Sequence, residues 1–435
     1  MKKIYVSIIL CTASLIISNH HAETTPITFN ISHAKAQETL MPIAIIVLDE
    51  TNNTLTTIAE IIKKDLQFTN QFTACVKLLD PQSPKKQLRT TIKQLSAGGI
   101  PLAICISTDR ADSIKWRLYD TLQRTMIAGN KCTQKNNILR GWAHAVADDV
   151  WKAITNNNGF FSSRLAYCKD SKNEKGHTIR KVYIADFDGT NEELLVDLPT
   201  ITIAPRWHVK KPQIFYSEYT DTNARLVKIS MKKERIIVSS FDGVNMLTGF
   251  SEDGKTIVYC SSRGDGSCQL YYYKNGILKR FTKNSGNNVS PIFIDDTKIC
   301  FCSDFQTGHP QIYVGNIETG HLQRITKGGY CTSPNYCQKT NTLVYHMMVN
   351  GTMQLFTYNF ATKDHTQLTK TAGNKHEASW SPCGTQLLFS QENSTASTLM
   401  ILNLLTNKTC SITNAKEQCS YPHWGPCYNS FPVIT

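Results

Sequence analysis

No block of five consecutive basic residues occurs in this 435-residue chain, although Lys and Arg outnumber Asp and Glu by 47 to 34. Scattered cations describe a solvated face better than a grip on phosphates, so no nucleic-acid partner is expected. Cys-x-x-Cys pairs are also missing. The closest cysteine groups, Cys300/Cys302, Cys331/Cys337 and Cys419/Cys427, lack zinc-site spacing and completing histidines, and neither a metal nor another cofactor is expected. The motifs G-x-S-x-G, H-E-x-x-H and the P-loop are absent. His376-Glu377 lacks its second histidine, and Ser83-Pro84-Lys85-Lys86 matches S-x-x-K without companion motifs, in what reads as a polar loop. Catalysis is therefore not expected. Low-complexity tracts are missing too, and a hydrophobic content of 41% with 19% charged residues is that of a folded protein.

Long apolar runs are confined to the beginning. Lys2 and Lys3 followed by the apolar stretch from Ile4 to Ile17 have the form of an export signal, with cleavage expected after Ala22. That stretch is short for a bilayer span of about 20 residues. Leu10 stands where a lipidated Cys11 would need a small residue before it, so a soluble mature chain is expected. Without Cys11 the 15 cysteines become 14, an even number that an oxidising compartment would allow to pair. Loss of Lys2 and Lys3 lowers the net charge from +13 to +11, still basic.

Two regions of different periodicity follow. Residues 39–160 alternate apolar runs with helical stripes, the pattern of a small α/β domain. Strands are expected at Pro42 to Leu48, Leu102 to Ile106 and Ile114 to Tyr119. Leu55, Ile58, Ala59, Ile62 and Leu66 mark one helix, and Leu139, Trp142, Ala143, Val146, Val150 and Ile154 mark another. The second stops at Asn156-Asn157-Asn158-Gly159, which predicts a domain boundary.

From residue 161 onward an aromatic recurs at Trp207, Phe250, Phe293, Tyr336, Trp380 and Trp424, at intervals of 43, 43, 43, 44 and 44 residues. A second series runs in phase: Tyr167, Tyr216, Tyr259, Phe301, Tyr345 and Phe389. Within residues 294–336, strands are expected at Lys298 to Cys302, Gln311 to Asn316 and Leu322 to Ile325, separated by glycine-bearing turns. Units of three or four strands cannot bury their own faces and must stack on one another. Six of them, with the last ending almost at the C-terminus, predict an all-β six-bladed propeller across residues 161–435.

With the units in view, the chain resembles the TolB proteins of the Tol-Pal envelope system. The resemblance is carried by Ala143-His144-Ala145-Val146-Ala147-Asp148-Asp149-Val150, Phe161-Ser162-Ser163-Arg164-Leu165-Ala166-Tyr167 and Asp186-Phe187-Asp188-Gly189. Further signatures are Ser251 to Lys255, Gln311-Ile312-Tyr313, Leu322 to Thr326, Trp380-Ser381-Pro382 and Tyr421 to Pro426. Residues His208 to Lys211 and Tyr336 to Lys339 lack the expected Ser-Pro-Asp-Gly turn. The resemblance implies a periplasmic protein-binding component that supports outer-membrane integrity and constriction at cell division.

Loops at one mouth of a closed propeller gather side chains from every blade into a shallow bowl. The positions just before the recurrent aromatics place Asn287, Asn288, Ser290, Thr332, Ser333, His376 and Glu377 there. Such Asn, Ser and Thr suit a wet, reversible protein interface, and equally suit turns. The resemblance implies that the bowl receives a Pal-type peptidoglycan-associated lipoprotein. It would also allow calcium in the channel, but no carboxylate cluster predicts one. An extended arm is expected at residues 23–38, where Glu23 precedes alternating Ile27, Phe29 and Ile31, a pattern able to add a strand to a partner. By resemblance that partner is a TolA-type inner-membrane protein. A monomer is expected, and a propeller holding carbohydrate or cell-wall fragments is the alternative.

Overall fold

The computed structural model describes residues 40–82, 84–110, 113–133, 139–264 and 266–428. The export signal and the arm with Glu23, Ile27, Phe29 and Ile31 lie outside the described residues. The N-terminal part runs β1 (Met41–Val47), α1 (Asn53–Phe68), β2 (Phe72–Leu78), α2 (Pro84–Ala97), β3 (Leu102–Arg110), β4 (Ser113–Asp120), β5 (Thr125–Thr133) and α3 (Leu139–Thr155). These strands form one sheet in the order β2-β1-β3-β4-β5, with β1 parallel to both neighbours and the rest antiparallel. Strand alternation decides what each face buries. Ile43, Ile45 and Val47 face α1 and α3, whereas Ala44 and Ile46 join a second cluster with Leu95 of α2. Helix α2 takes in Pro84, Lys85 and Lys86, where a polar loop is expected, while Ser83 lies outside the described residues. Pro84 stands at its first position, where a missing N–H costs nothing and the fixed φ favours the helix.

The remaining strands form six four-stranded antiparallel sheets. Blade one takes three strands from its own stretch, β6 (Arg164–Lys172), β7 (Thr178–Asp186) and β8 (Glu193–Val196), and its innermost strand, Cys419–Trp424, from the end of the propeller. Each sequence repeat is thus offset from a blade by one strand, and this exchange closes the ring. Both aromatic series acquire a role. The first ends five of the six innermost strands, with Tyr336 one residue short of the end in the sixth, and in four blades the second stacks across to the next strand, as Tyr167–Tyr183, Tyr259–Tyr271, Phe301–Tyr313 and Tyr345–Phe356.

Side-chain bonds repeat with the blades. Thr282, Thr326, Thr369 and Thr413 follow the outermost strands, and each hydroxyl accepts the N–H of Leu270, Ile312, Leu355 or Leu399 in the same blade. In blades four and five the same hydroxyls donate to Gln311 and Gln354. The departing turn at His208 is rebuilt by an imidazole: Nδ1 accepts the N–H groups of Lys210 and Lys211, both at 3.1 Å, as the Asp253 carboxylate accepts that of Lys255.

The two parts are fused. Asp148 of α3 accepts Phe161 N–H at 2.8 Å and Ser162 N–H at 3.0 Å, and Gly159 lies against Asp148 with no room for a Cβ. Phe160, Phe161 and Phe187 then pack with Phe68, Trp151 and Trp424 into one core spanning the sheet domain and blades one and six. Polar bonds rim it: His144 Nδ1 lies 2.8 Å from Asp65, Arg140 Nε donates to Asp186 at 2.7 Å, and Asn403 donates to the Thr69 carbonyl at 2.6 Å. No helix among the described residues is long and apolar enough to cross a membrane.

Candidate functional site

All six innermost strands are interrupted by a bulge at the same place. The residue there has positive φ in every blade: Ala204, Leu247, Ser290, Ser333, Glu377 and Tyr421. The following position is Pro205, Pro291, Pro334 or Pro422 in four blades. Proline cannot donate, so the strand edges turned towards the axis offer few N–H groups to an intruding strand. A narrow axial cavity of about 30 Å³ runs between these bulges, with room for little more than a water molecule. Ser290, Ser333 and Glu377 line it, together with Arg206, Thr248 and His423.

Charge at the axis is concentrated in one pair. Glu377 accepts the Tyr421 N–H at 2.5 Å. Burial pushes its carboxyl up to about 7, against the opposing pull of the Arg206 guanidinium and that N–H. Burial also pulls Arg206 below its ordinary value. His423 is lowered by burial and by Arg206, and its Nδ1 accepts Trp207 N–H at 3.2 Å. Burial, helped by His376, lowers His346 to about 3, and its Nε2 accepts Ala378 N–H at 3.0 Å. The channel thus presents one neutral imidazole, His423, one arginine and one carboxyl that titrates near neutrality, while His346 stands behind the wall.

The other sequence-predicted residues are spread between mouth and wall. Asn287 is exposed where an innermost strand starts; it binds Asp304 through its backbone N–H at 2.7 Å and accepts Cys268 N–H at 3.1 Å. His376 Nε2 lies 3.3 Å from Glu392 beside the same kind of loop. Thr332 is half-buried next to Ser333, with their hydroxyls 3.5 Å apart. Asn288 is fully buried, and its amide donates to the Gly286 carbonyl at 3.0 Å and to Asn284 at 2.9 Å. Its counterparts around the ring also donate to carbonyls: Thr202 to Arg180, Asn245 to Phe241, Cys331 to Gly328, and Lys375 to Thr371, Ala372 and Gly373. In blades three to six this position anchors the loop that enters the innermost strand.

Arg206 and His423 escape sequence reasoning because their position carries Arg, Gly, Ile, Asn, Ser and His around the six blades and so has no recurrent signal. Register places the α/β domain relative to the two mouths. Trp424, at the end of its strand, pairs with Leu165 at the start of β6, directly after α3, so the α/β domain sits where the innermost strands end. Asn287 and His376 lie where those strands begin, at the mouth facing away from it. Among the described residues no group of three His, Cys, Asp or Glu could hold a metal ion, and the 14 described cysteines are all free.

Comparison with known proteins agrees with this architecture. The family model for the TolB beta propeller domain matches residues 151–428, and that for the TolB amino-terminal domain matches residues 29–127. The Tol-Pal system protein TolB of Francisella tularensis subsp. mediasiatica is 28% identical over 253 residues, covering 54% of this chain and 58% of its own. That of Gluconobacter oxydans is 27% identical over 213 residues, covering 48% of this chain and 46% of its own. The chain thus spans about half the length of these curated relatives. In fold it is similar to the crystal structure of TolB from Acinetobacter baumannii, with a TM-score of 0.74 at 22% identity, over 90% of this chain and 98% of that one. Six blades closed by their last strand, the α/β domain fused to them and the match to both domain models show that the chain belongs to the TolB family.

Proposed function

We propose that the chain is a periplasmic component of a Tol-Pal system that works by binding other envelope proteins and catalyses no reaction. The observation that carries this reading is a narrow axial channel of about 30 Å³ whose mouth on the side away from the α/β domain is ringed by the polar loops that enter the innermost strands. A shallow polar rim suits the globular domain of a Pal-type lipoprotein better than a small molecule, which needs a concave pocket of several hundred Å³. Asn287, Thr332 and His376 are the rim residues assigned to that contact, with Ser290, Ser333 and Glu377 deeper along the axis and Asn288 supporting the rim from behind. Residues 23–38, with Glu23, Ile27, Phe29 and Ile31, are assigned to a TolA-type inner-membrane protein. Occupancy of one site altering the other would make the chain a relay during outer-membrane constriction, and such coupling is reciprocal in free energy.

The test is an envelope pull-down with the mature chain, the chain lacking residues 23–38, and an Asn287→Ala/His376→Ala variant whose circular dichroism matches wild type. Pal-type lipoprotein is expected with the first two and lost with the third, while TolA-type protein is lost with the second. Recovery of cell-wall glycan alone would replace this reading with the carbohydrate one.

A further inference from the structure

A second surface lies on the flank of the propeller, between blades four and five, and is independent of the axial site. Neighbouring blades diverge outwards, and in blades three and four the residue after the outermost strand packs into the widening gap. Between blades three and four this residue is Phe281, whose ring packs so closely on Gly315 that a Cβ there would lie 2.5 Å from it. One blade further on, the same two positions carry Ile325 and Tyr358. A groove of about 840 Å³ lies beside them.

Its lining is one-sided in charge. Arg324 and Lys327 stand on the blade-four bank and Lys363 and His365 on the blade-five bank, and no carboxylate lines it. Arg324, Lys327 and Lys363 are exposed and, among the described residues, make no ion pair. The groove also has apolar content: Tyr345, Phe356 and Tyr358 form the floor beside Met347 and Met348. The Tyr345 hydroxyl lies 2.9 Å from His365 Nδ1, and the Tyr358 ring is 4.7 Å from the His365 ring, so the floor is fixed. Along the blade-four bank runs the outermost strand Leu322–Arg324, which is paired on one side only, with Tyr313 to Gly315.

These features together select the ligand. An unpaired strand edge offers backbone hydrogen bonds to an extended chain. Cations on both banks select carboxylates, and flexible thioethers accept apolar side chains of varied shape. Sugar stacking would need exposed aromatic faces, but Tyr345, Phe356 and Tyr358 are 2%, 8% and 8% exposed. We propose that the groove between blades four and five binds an extended acidic peptide segment of another protein, its backbone along Leu322–Arg324 and its carboxylates between Arg324, Lys327 and Lys363.

The experiment is fluorescence anisotropy on the mature chain with a labelled peptide of alternating Glu and Leu, and with the same peptide carrying Lys for Glu. Saturable binding of the acidic peptide alone is expected, weakened at least about tenfold by Arg324→Glu/Lys363→Glu and, separately, by Lys327→Glu. Lys232→Glu/Lys233→Glu, a reversal on blade two, is expected to leave it unchanged. Because all these side chains are on the surface, each variant should keep the wild-type melting temperature. Equal binding of the Lys peptide, equal binding by the groove variants, or displacement by chondroitin sulfate at the same charge concentration would overturn the proposal, the last in favour of a glycan.

Discussion

Glu377 shows how one residue can be set by a ring. In its blade the bulge position carries a carboxyl where two others have serine, and convergence of the strands deprives it of water. A carboxyl whose folded pKa is raised holds its proton longer in the native state than in the unfolded chain, so stability falls as pH rises across the interval. For Glu377 that interval runs from the ordinary 4.5 to about 7. Asp148, pushed up by burial to about 6 against its two N–H bonds, adds a slope of the same sign from 3.8 upward. Glu377→Gln is therefore expected to be relatively more stable than wild type at pH 7.5 than at pH 4.5, with the difference growing between those limits. Urea unfolding at a series of pH values measures it, and parallel curves for the two proteins would show that the carboxyl is not the titrating group.

At the scale of the element, the innermost strand is the repeated device, and its entrance depends on a donor at one position. Lys375 is wholly buried there, and its ammonium is bonded to three carbonyls in the turn from Thr371 to Gly373. Asn245 and Asn288 meet the same need with an amide. Lys375→Met should leave those carbonyls unsatisfied and cost about 1–3 kcal/mol, while Lys375→Asn should recover part of the loss. Equilibrium denaturation of both variants gives the comparison, and a smaller loss for Lys375→Met than for Lys375→Asn would mean that length rather than hydrogen bonding matters at this place. Much of this was legible beforehand. The recurrent aromatics reveal six units because they sit where strand ends meet the next blade, and α1, α3, β1, β3 and β4 announce themselves through apolar periodicity. What stayed hidden lacks periodicity for physical reasons. Strand β2 lies at a sheet edge and is partly exposed, β5 is exposed along most of its length, and α2 covers only one small cluster. At the site, Ser290, Ser333 and Glu377 could be found from their fixed distance to an aromatic. Arg206 and His423 could not, because each blade fills that place with a different chemistry. Asn288 has the same kind of sequence signal as its neighbours at the mouth, yet burial makes it a support for the loop.

On the scale of the whole molecule, the fused core makes a mechanical statement. Phe160, Phe161 and Phe187 belong equally to the α/β domain and the ring, and Trp424 of the closing strand reaches the same cluster, where its Nε1 donates to Ser163 at 2.7 Å. A domain that shares its core with the strand closing the propeller cannot unfold without opening the ring, so the described parts should unfold in one transition. His144 adds a pH signature to that junction. Burial alone would lower its pKa, but Asp186 and Asp65 outweigh burial and raise it to about 9. Its contribution is complete below the ordinary 6.5 and is lost as pH rises through about 9. Urea unfolding followed by far-ultraviolet circular dichroism and by tryptophan fluorescence should therefore give coincident curves at pH 6, with midpoints that fall together towards pH 9. Phe187→Ala, by emptying a fully buried ring site, should cost about 3–5 kcal/mol and move both curves equally. Two separated transitions in the wild-type protein would mean that the junction is a contact between independent domains, and the relay between the ends of the molecule would then lack a rigid body to pass through.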